Sequence, residues 1–235
     1  MVHKIALFNH KGGVSKTTTT FNLGWMLALV LAVSALDYYI HEVVTLGMLE
    51  IHRGQRAEPA PSGNSTQSAF SSFKVSLGSA REDRRIAIDI ASWIESDIQQ
   101  VYGASFLQQS HTISGLIPAI SNSILNRLNN TSWLEDEIRE RLSYQSFQQP
   151  DKIADAIRQI SDKKLWDEVA SKMSKTPKDI KQQLTLIVDR RKKIAHEADI
   201  DPTLNIGNRW YIDESMVGDT VDFLEQLVES IHQIL

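Results

Sequence analysis

Most of the chain repeats apolar residues at intervals of three and four, the spacing that places them on one face of an α-helix. Ile86, Ile90, Trp93, Ile94 and Ile98 illustrate this periodicity. The pattern predicts eight helical segments, at residues 17–51, 82–109, 112–129, 132–143, 150–160, 162–172, 177–198 and 214–234. Everything beyond residue 28 therefore reads as all-α.

Polar signals mark several boundaries of these helices. Ser132 precedes one apolar run as an N-cap candidate, and Pro177 follows Thr176 at the first turn of another. The proline-, glycine- and serine-rich composition around residues 57–65 predicts a loop, taken as 54–72. Only residues 4–9 look like a strand, followed by a glycine-containing turn at 10–16. We expect a mainly α fold, a helical bundle (29–235) preceded by a short strand–loop segment (1–28).

Composition narrows the class of protein. The 235 residues are 42% hydrophobic and 23% charged, with a formal net charge of −4, so any nucleic-acid site must be a local basic patch. There are no cysteines, which excludes disulfides, thiolate metal sites and cysteine nucleophiles. The most apolar run, Trp25–Leu36, is twelve residues long, whereas a helix needs about twenty to span a bilayer. We therefore expect a buried helix, no membrane partner and a cytoplasmic protein.

The N-terminal loop has the parts of a phosphate cradle. Glycine amides of Gly12 and Gly13 could close on an anion, Lys11 and Lys16 could reach phosphates, and Thr17 could hold Mg²⁺. The run from residue 8 to residue 24, FNHKGGVSKTTTTFNLG, resembles the deviant Walker A segment of ParA-type partition ATPases.

That resemblance covers only about the first 27 residues, and no parallel sheet or Walker B strand follows in the sequence. Ile86–Asp89 superficially resembles such a strand, but apolar residues continue after it at helical spacing. The segment is thus interpreted as a fused or relict leader. Binding of ATP and Mg²⁺ there, in a nucleotide-binding regulator, is the alternative.

A second candidate site lies near the end of the helix predicted at 177–198. Leu184, Ile187, Arg191, Ile194 and Ala198 follow one another at spacings of three and four and form the seam of an amphipathic helix. An arginine on a packed face needs an anionic partner. The flanking Arg190, Lys192 and Lys193 look like a solvated basic face that could attract an RNA backbone.

His196 follows Arg191 by five residues, which is about 140° around a straight helix. The two meet only if the helix bends, or if two helices or two protomers converge. Histidine can move a proton near neutral pH and arginine can grip phosphate oxygens, so the pair suits metal-free RNA cleavage by the 2′-hydroxyl. On spacing alone, a basic helix face with a surface histidine is the competing interpretation.

The segment VDRRKKIAHEAD at residues 188–199 resembles the R-x4-6-H motif of the HEPN superfamily, in particular its RiboL-PSP-type branch. The similarity extends to residues 35–42, 163–170 and 209–213 and so covers roughly residues 29–235. The resemblance implies a helical bundle, usually a homodimer, that cleaves RNA without a metal as a toxin or antiphage effector. A partner could be an antitoxin or another regulatory protein.

Carried over by motif, Arg191 would stabilise the phosphate and His196 would act as acid and base. Many family members have asparagine after the arginine, where this chain has Lys192. Its charge would strengthen RNA binding or disfavour protonated His196. An inactive RNA- or protein-binding module is therefore the alternative.

Three acidic residues could assist this pair or simply form polar helix faces: Asp37, Glu42 and Glu197. The histidines show no i, i+4 pairing and no HExxH motif, so no metal site is expected and no cofactor is required.

Overall fold

The computed structural model describes the backbone of residues 13–61, 63, 65–73, 83–129, 132–197 and 212–235. The side chains of residues 13–21, 83–91, 127–128 and 196–197 lie outside this description. Within these ranges the chain forms eight α-helices and no strand, which confirms a mainly helical fold. The helices are α1 Gly13–His52, α2 Asp83–Tyr102, α3 Ile113–Asn129, α4 Ser132–Ser143, α5 Pro150–Ile157, α6 Leu165–Met173, α7 Pro177–Glu197 and α8 Glu214–Ile234, with a short 3₁₀ helix at Phe106–Gln108.

The N-terminal region differs from the sequence prediction where it can be compared. The strand expected at residues 4–9 lies outside the described residues. Helix α1 begins at Gly13, so residues 13–16 are helical and not part of the turn predicted over 10–16. The boundary expected near residue 28 falls inside α1, which continues without a break to His52.

Two helix starts show side-chain capping of backbone N–H groups. The Thr176 hydroxyl accepts a hydrogen bond from the Asp179 N–H at 3.1 Å, directly before the proline that opens α7. The Asp213 carboxylate accepts one from the Met216 N–H at 2.8 Å and caps α8. The sequence predicted both starts, at residues 177 and 214, and for α7 it did so from Thr176 and Pro177.

The chain divides into two compact units, and the first comprises residues up to Val44 together with Ser146–Leu235. In this unit α6 packs against α7 and α8, and α5 packs against α6 and α7. The Trp166 indole N–H donates to the Pro150 carbonyl at 3.2 Å and ties α6 to the start of α5. The side chains of its core are almost fully buried, among them Val33, Ile40, Phe147, Ile153, Val169, Ile180, Leu184, Leu227 and Ile231.

The second unit comprises Thr45–Gln145. Helix α2 packs against α3 and the 3₁₀ helix. The buried residues of this unit include Ile98 of α2 and Ile138 and Leu142 of α4. The predicted loop contains no helix or strand in its described part. Its Glu58 carboxylate accepts hydrogen bonds from the hydroxyls of Ser68 and Ser71, which lower the pKa of Glu58.

Helix α1 is the most apolar element. Its segment Asn22–His52, 31 residues with a mean hydropathy of 1.7 in its most apolar window, is long and apolar enough to cross a membrane. Only 28% of that window is buried. The twelve-residue run read from the sequence is thus part of a longer helix, and its length does not argue against a membrane span. Signal sequences near the N-terminus and the mostly buried core helices of soluble proteins meet the same criterion, so a cytoplasmic location stays a prediction.

Candidate functional site

The inner face of α7 leads directly to Arg191. Ile180, Leu184 and Val188 are fully buried at intervals of four, and Ile187 is nearly so. Arg191 follows Val188 by three residues and is half-buried. The structure therefore places Arg191 at the end of a packed seam, where the amphipathic pattern predicted it.

The guanidinium of Arg191 has one buried donor without a partner. Its Nε atom is shielded from solvent and forms no hydrogen bond with any group in the described part of the chain. A buried N–H group left unpaired is unfavourable by about 1–3 kcal/mol, and an anionic acceptor would relieve this. The Nε atom of Arg190 is buried in the same way, although that residue has other interaction partners, so this feature belongs to both adjacent arginines.

Arg191 and His196 lie on one continuous helix. Helix α7 runs through Glu197, so its backbone places the two residues about 140° apart around the axis. The side chains of His196 and Glu197 lie outside the described part of the structure. The helix does not end between the two motif residues, and a site that uses both needs side-chain reach around the helix or a second copy of the chain.

The basic neighbours of Arg191 already interact with other groups of the protein. The exposed Lys192 ammonium lies 3.5 Å from the Asp189 carboxylate, one turn earlier on α7. Exposed ion pairs of this kind contribute about 0–1 kcal/mol, so a phosphate could displace Asp189 readily. Arg190 and Lys193 are half-buried and also have interaction partners within the chain. The positive charge at this end of α7 is therefore partly offset by local contacts.

Asp37 has a structural role in the first unit. Its Oδ1 accepts the backbone N–H of Phe147 at 2.5 Å, and its Oδ2 accepts the side-chain amide of Gln148 at 3.3 Å. The His41 Nε2 atom lies 3.9 Å from Asp37 Oδ1, and the His41 ring is 4.6 Å from the Phe147 ring. Asp37 thus fixes the segment that precedes α5. Glu42 is half-buried on the same helix and has an interaction partner of its own.

The residues of the N-terminal loop are only partly described. Lys11 and Gly12 lie outside the described residues, while Gly13, Lys16 and Thr17 form the start of α1. In the part of the chain that the structure describes, no cluster of three or more His, Cys, Asp or Glu side chains could hold a metal ion.

The contact between Asp37 and Phe147 has no sequence signal, because the two residues are 110 positions apart. The sequence shows that Asp37 and His41 are one helical turn apart. It does not show that Phe147 contacts both of them. No family model, no curated protein sequence and no solved structure matches this chain. Its likeness to the HEPN superfamily and to partition ATPases rests on the sequence motifs alone.

Proposed function

We propose that this protein is a metal-independent endoribonuclease of the HEPN type, with Arg191 and His196 as its working pair. The observation that carries the proposal is the half-buried Arg191, whose Nε atom lacks a hydrogen-bond partner in the described structure beside a run of basic residues. A phosphodiester is an anion of the kind this donor requires. RNA also supplies its own nucleophile, so the protein needs only a cation and a proton carrier.

The proposed reaction is transesterification followed by release. The His196 imidazole removes the proton of the 2′-hydroxyl, and the 2′-oxygen forms a bond to phosphorus while the bond from phosphorus to the 5′-oxygen breaks. The departing 5′-oxygen takes up a proton from the imidazolium of His196. The products are a 2′,3′-cyclic phosphate and a 5′-hydroxyl. The Arg191 guanidinium stabilises the charge that develops on the phosphorane oxygens.

The backbone separation of the pair favours a homodimer. With about 140° between the two residues on α7, one copy would supply the arginine and the other the histidine of each site. An unrestricted ribonuclease stops growth, so we also propose a toxin or defence role with a neutralising protein partner.

The test is cleavage of a 5′-labelled RNA in the presence of EDTA, with product ends identified by enzymatic end treatment. His196→Ala and Arg191→Ala should each reduce the rate about 100-fold or more. Lys178→Ala is the matched control, because Lys178 is exposed on the same helix about 20 Å from Arg191. This variant should cleave RNA at the wild-type rate. Full activity in either site variant would disprove the proposal.

Mixing the two inactive variants tests the shared site. In a random mixture half of the dimers contain one copy of each variant, and one of their two sites has both residues. About a quarter of the wild-type activity should return. If activity does not return although each variant folds, the site belongs to one copy. RNA binding without any cleavage by the wild type would instead identify an inactive binding module.

A further inference from the structure

An apolar groove runs between α1 and α8 in the first unit. It has a volume of about 520 Å³, and its apolar lining includes Ala32, Ala35 and Leu36 of α1 and Val221, Leu224 and Val228 of α8. None of these residues belongs to the proposed RNA-cleaving pair. The groove is therefore a surface separate from that pair, and its own chemistry defines what it can bind.

The apolar surface continues beyond the groove along α1. Leu27 and Leu31 are 55% and 57% exposed, and with Ala35 they follow one another at intervals of four along one ridge of the helix. Tyr38, 67% exposed, extends the same side by another turn. The stretch from Leu27 to Tyr38 is about 17 Å long. A contiguous apolar surface of this kind marks an interaction site.

The opposite wall of the groove is acidic. Glu225 and Glu229 of α8 line it, and Asp222 lies one turn before Glu225 on the same exposed face. None of the three forms an ion pair with a residue that the structure describes. Helix α8 contains no lysine or arginine, and neither does α1 from Thr17 to His52.

Three lysines contact α8, and none of them forms an ion pair with Glu225 or Glu229 in the described structure. Lys163 donates to the Ile234 carbonyl, and Lys172 of α6 donates to the Gln233 side chain at 3.2 Å, one turn beyond Glu229. Lys175 lies in the turn after α6. The Lys175 ammonium lies over the Phe223 ring at 5.2 Å, and Phe223 is about 160° around α8 from Glu225. The acidic wall therefore keeps its charge beside the groove.

We propose that this groove binds an amphipathic helix of a partner protein that has basic residues along one flank of its apolar face. The apolar side chains would enter the groove and cover Leu31, while the lysines or arginines would meet Glu225 and Glu229. The occupant needs both properties because one wall is uncharged and the other is negative.

The charges also argue against the two other occupants. A second copy seated across the groove would place the acidic wall against the partner's acidic wall or against its uncharged α1 wall, depending on the direction of the twofold axis, and neither arrangement gives the carboxylates a basic partner. An anionic lipid surface would be repelled by the same three carboxylates. A basic helix is the occupant whose charge complements the wall.

The test is a display library of helices of about 18 residues, long enough to span the apolar surface. Leucines stand at the anchor positions, and the flanking positions are randomised among Lys, Glu and Gln. The library is selected on the full-length protein and counter-selected on Ala35→Arg, which fills the groove at an exposed position. Circular dichroism and thermal unfolding establish that the variant is folded.

The selected helices should be enriched in lysine on one flank and should lose at least tenfold in affinity for Glu225→Lys/Glu229→Lys. Peptides with glutamate at the same flank should recover binding to that double variant. Asp219→Lys, a charge reversal at an exposed α8 position that does not line the groove, is the matched control and should bind like the wild type.

Four results would overturn the proposal. They are the absence of any helix that discriminates against Ala35→Arg, equal enrichment of acidic and basic flanks, self-association abolished by Ala35→Arg in sedimentation, and flotation with lipid vesicles abolished by the same substitution. The wild type should cleave RNA in all four cases, and Ala35→Arg should cleave at the same rate unless the dimer that it abolishes is the one that forms the shared site. Failure here is thus distinguishable from failure of the ribonuclease proposal.

Discussion

Replacing Arg191 by methionine separates a catalytic from a structural role for this residue. Arg191 is half-buried after Val188, and its Nε–H has no hydrogen-bond partner in the described part of the chain. Methionine retains an unbranched apolar stem for packing and removes the unpaired donor. A buried unpaired N–H is unfavourable by about 1–3 kcal/mol, and we take the lower end because the rest of the Arg191 side chain is only half-buried.

The free energy of unfolding of Arg191→Met should therefore stay level or rise by about 1 kcal/mol. For a chain of this size, that corresponds to about 2–4 °C in the unfolding temperature. RNA cleavage should nevertheless fall as far as in Arg191→Ala, since methionine carries no charge for the phosphate. Differential scanning calorimetry measures the first quantity and a cleavage assay in EDTA measures the second.

Leu184→Ala is the control from the same seam. Leu184 is fully buried, so truncation should lower the free energy of unfolding by about 2–5 kcal/mol. If Arg191→Met lowers the free energy of unfolding by more than about 1 kcal/mol, the guanidinium stabilises the fold. A loss of cleavage in Arg191→Ala would then no longer argue for a catalytic role.

Three further predictions follow from other residues. Asp37→Ala should lower the free energy of unfolding by about 2 kcal/mol, because it leaves the buried-segment N–H of Phe147 without its charged acceptor. Burial raises the pKa of Tyr39 from 10.0 to about 12, so wild-type stability should fall as pH rises from about 10 to 12, a loss that Tyr39→Phe should lack in alkaline unfolding experiments. Titration calorimetry with ATP and Mg²⁺ should give no binding heat, since the N-terminal segment is interpreted as a fragment of an ATPase.

Each of these has a contrary result. If Asp37→Ala unfolds like the wild type but loses cleavage, Asp37 supports catalysis and not the fold. An absorbance titration of tyrosine that shows the same late component in Tyr39→Phe would assign the raised pKa to another residue. Binding heat with ATP that disappears in Lys16→Ala would establish a working nucleotide site.

Local sequence determined the helices of this protein. A helix is held by hydrogen bonds between residues four apart, and its buried face and caps are set by side chains a few positions away. The periodicity therefore predicted α3, α4 and α8 to within a residue or two, and it placed Arg191 on the buried side of α7. The same local reasoning gave the angular separation between Arg191 and His196.

Tertiary structure decided which of these helices meet. The Asp37 carboxylate accepts a hydrogen bond from the Phe147 N–H, although the two residues are 110 positions apart. From the sequence, Asp37 was only a polar residue on a helix face. The groove between α1 and α8 likewise joins helices from opposite ends of the chain. The sequence of each helix predicts only that the helix has an apolar face and not which helix that face contacts. The choice of neighbour depends on how many such faces pack together at once, so only the folded chain shows which apolar face of α1 is buried and which stays exposed.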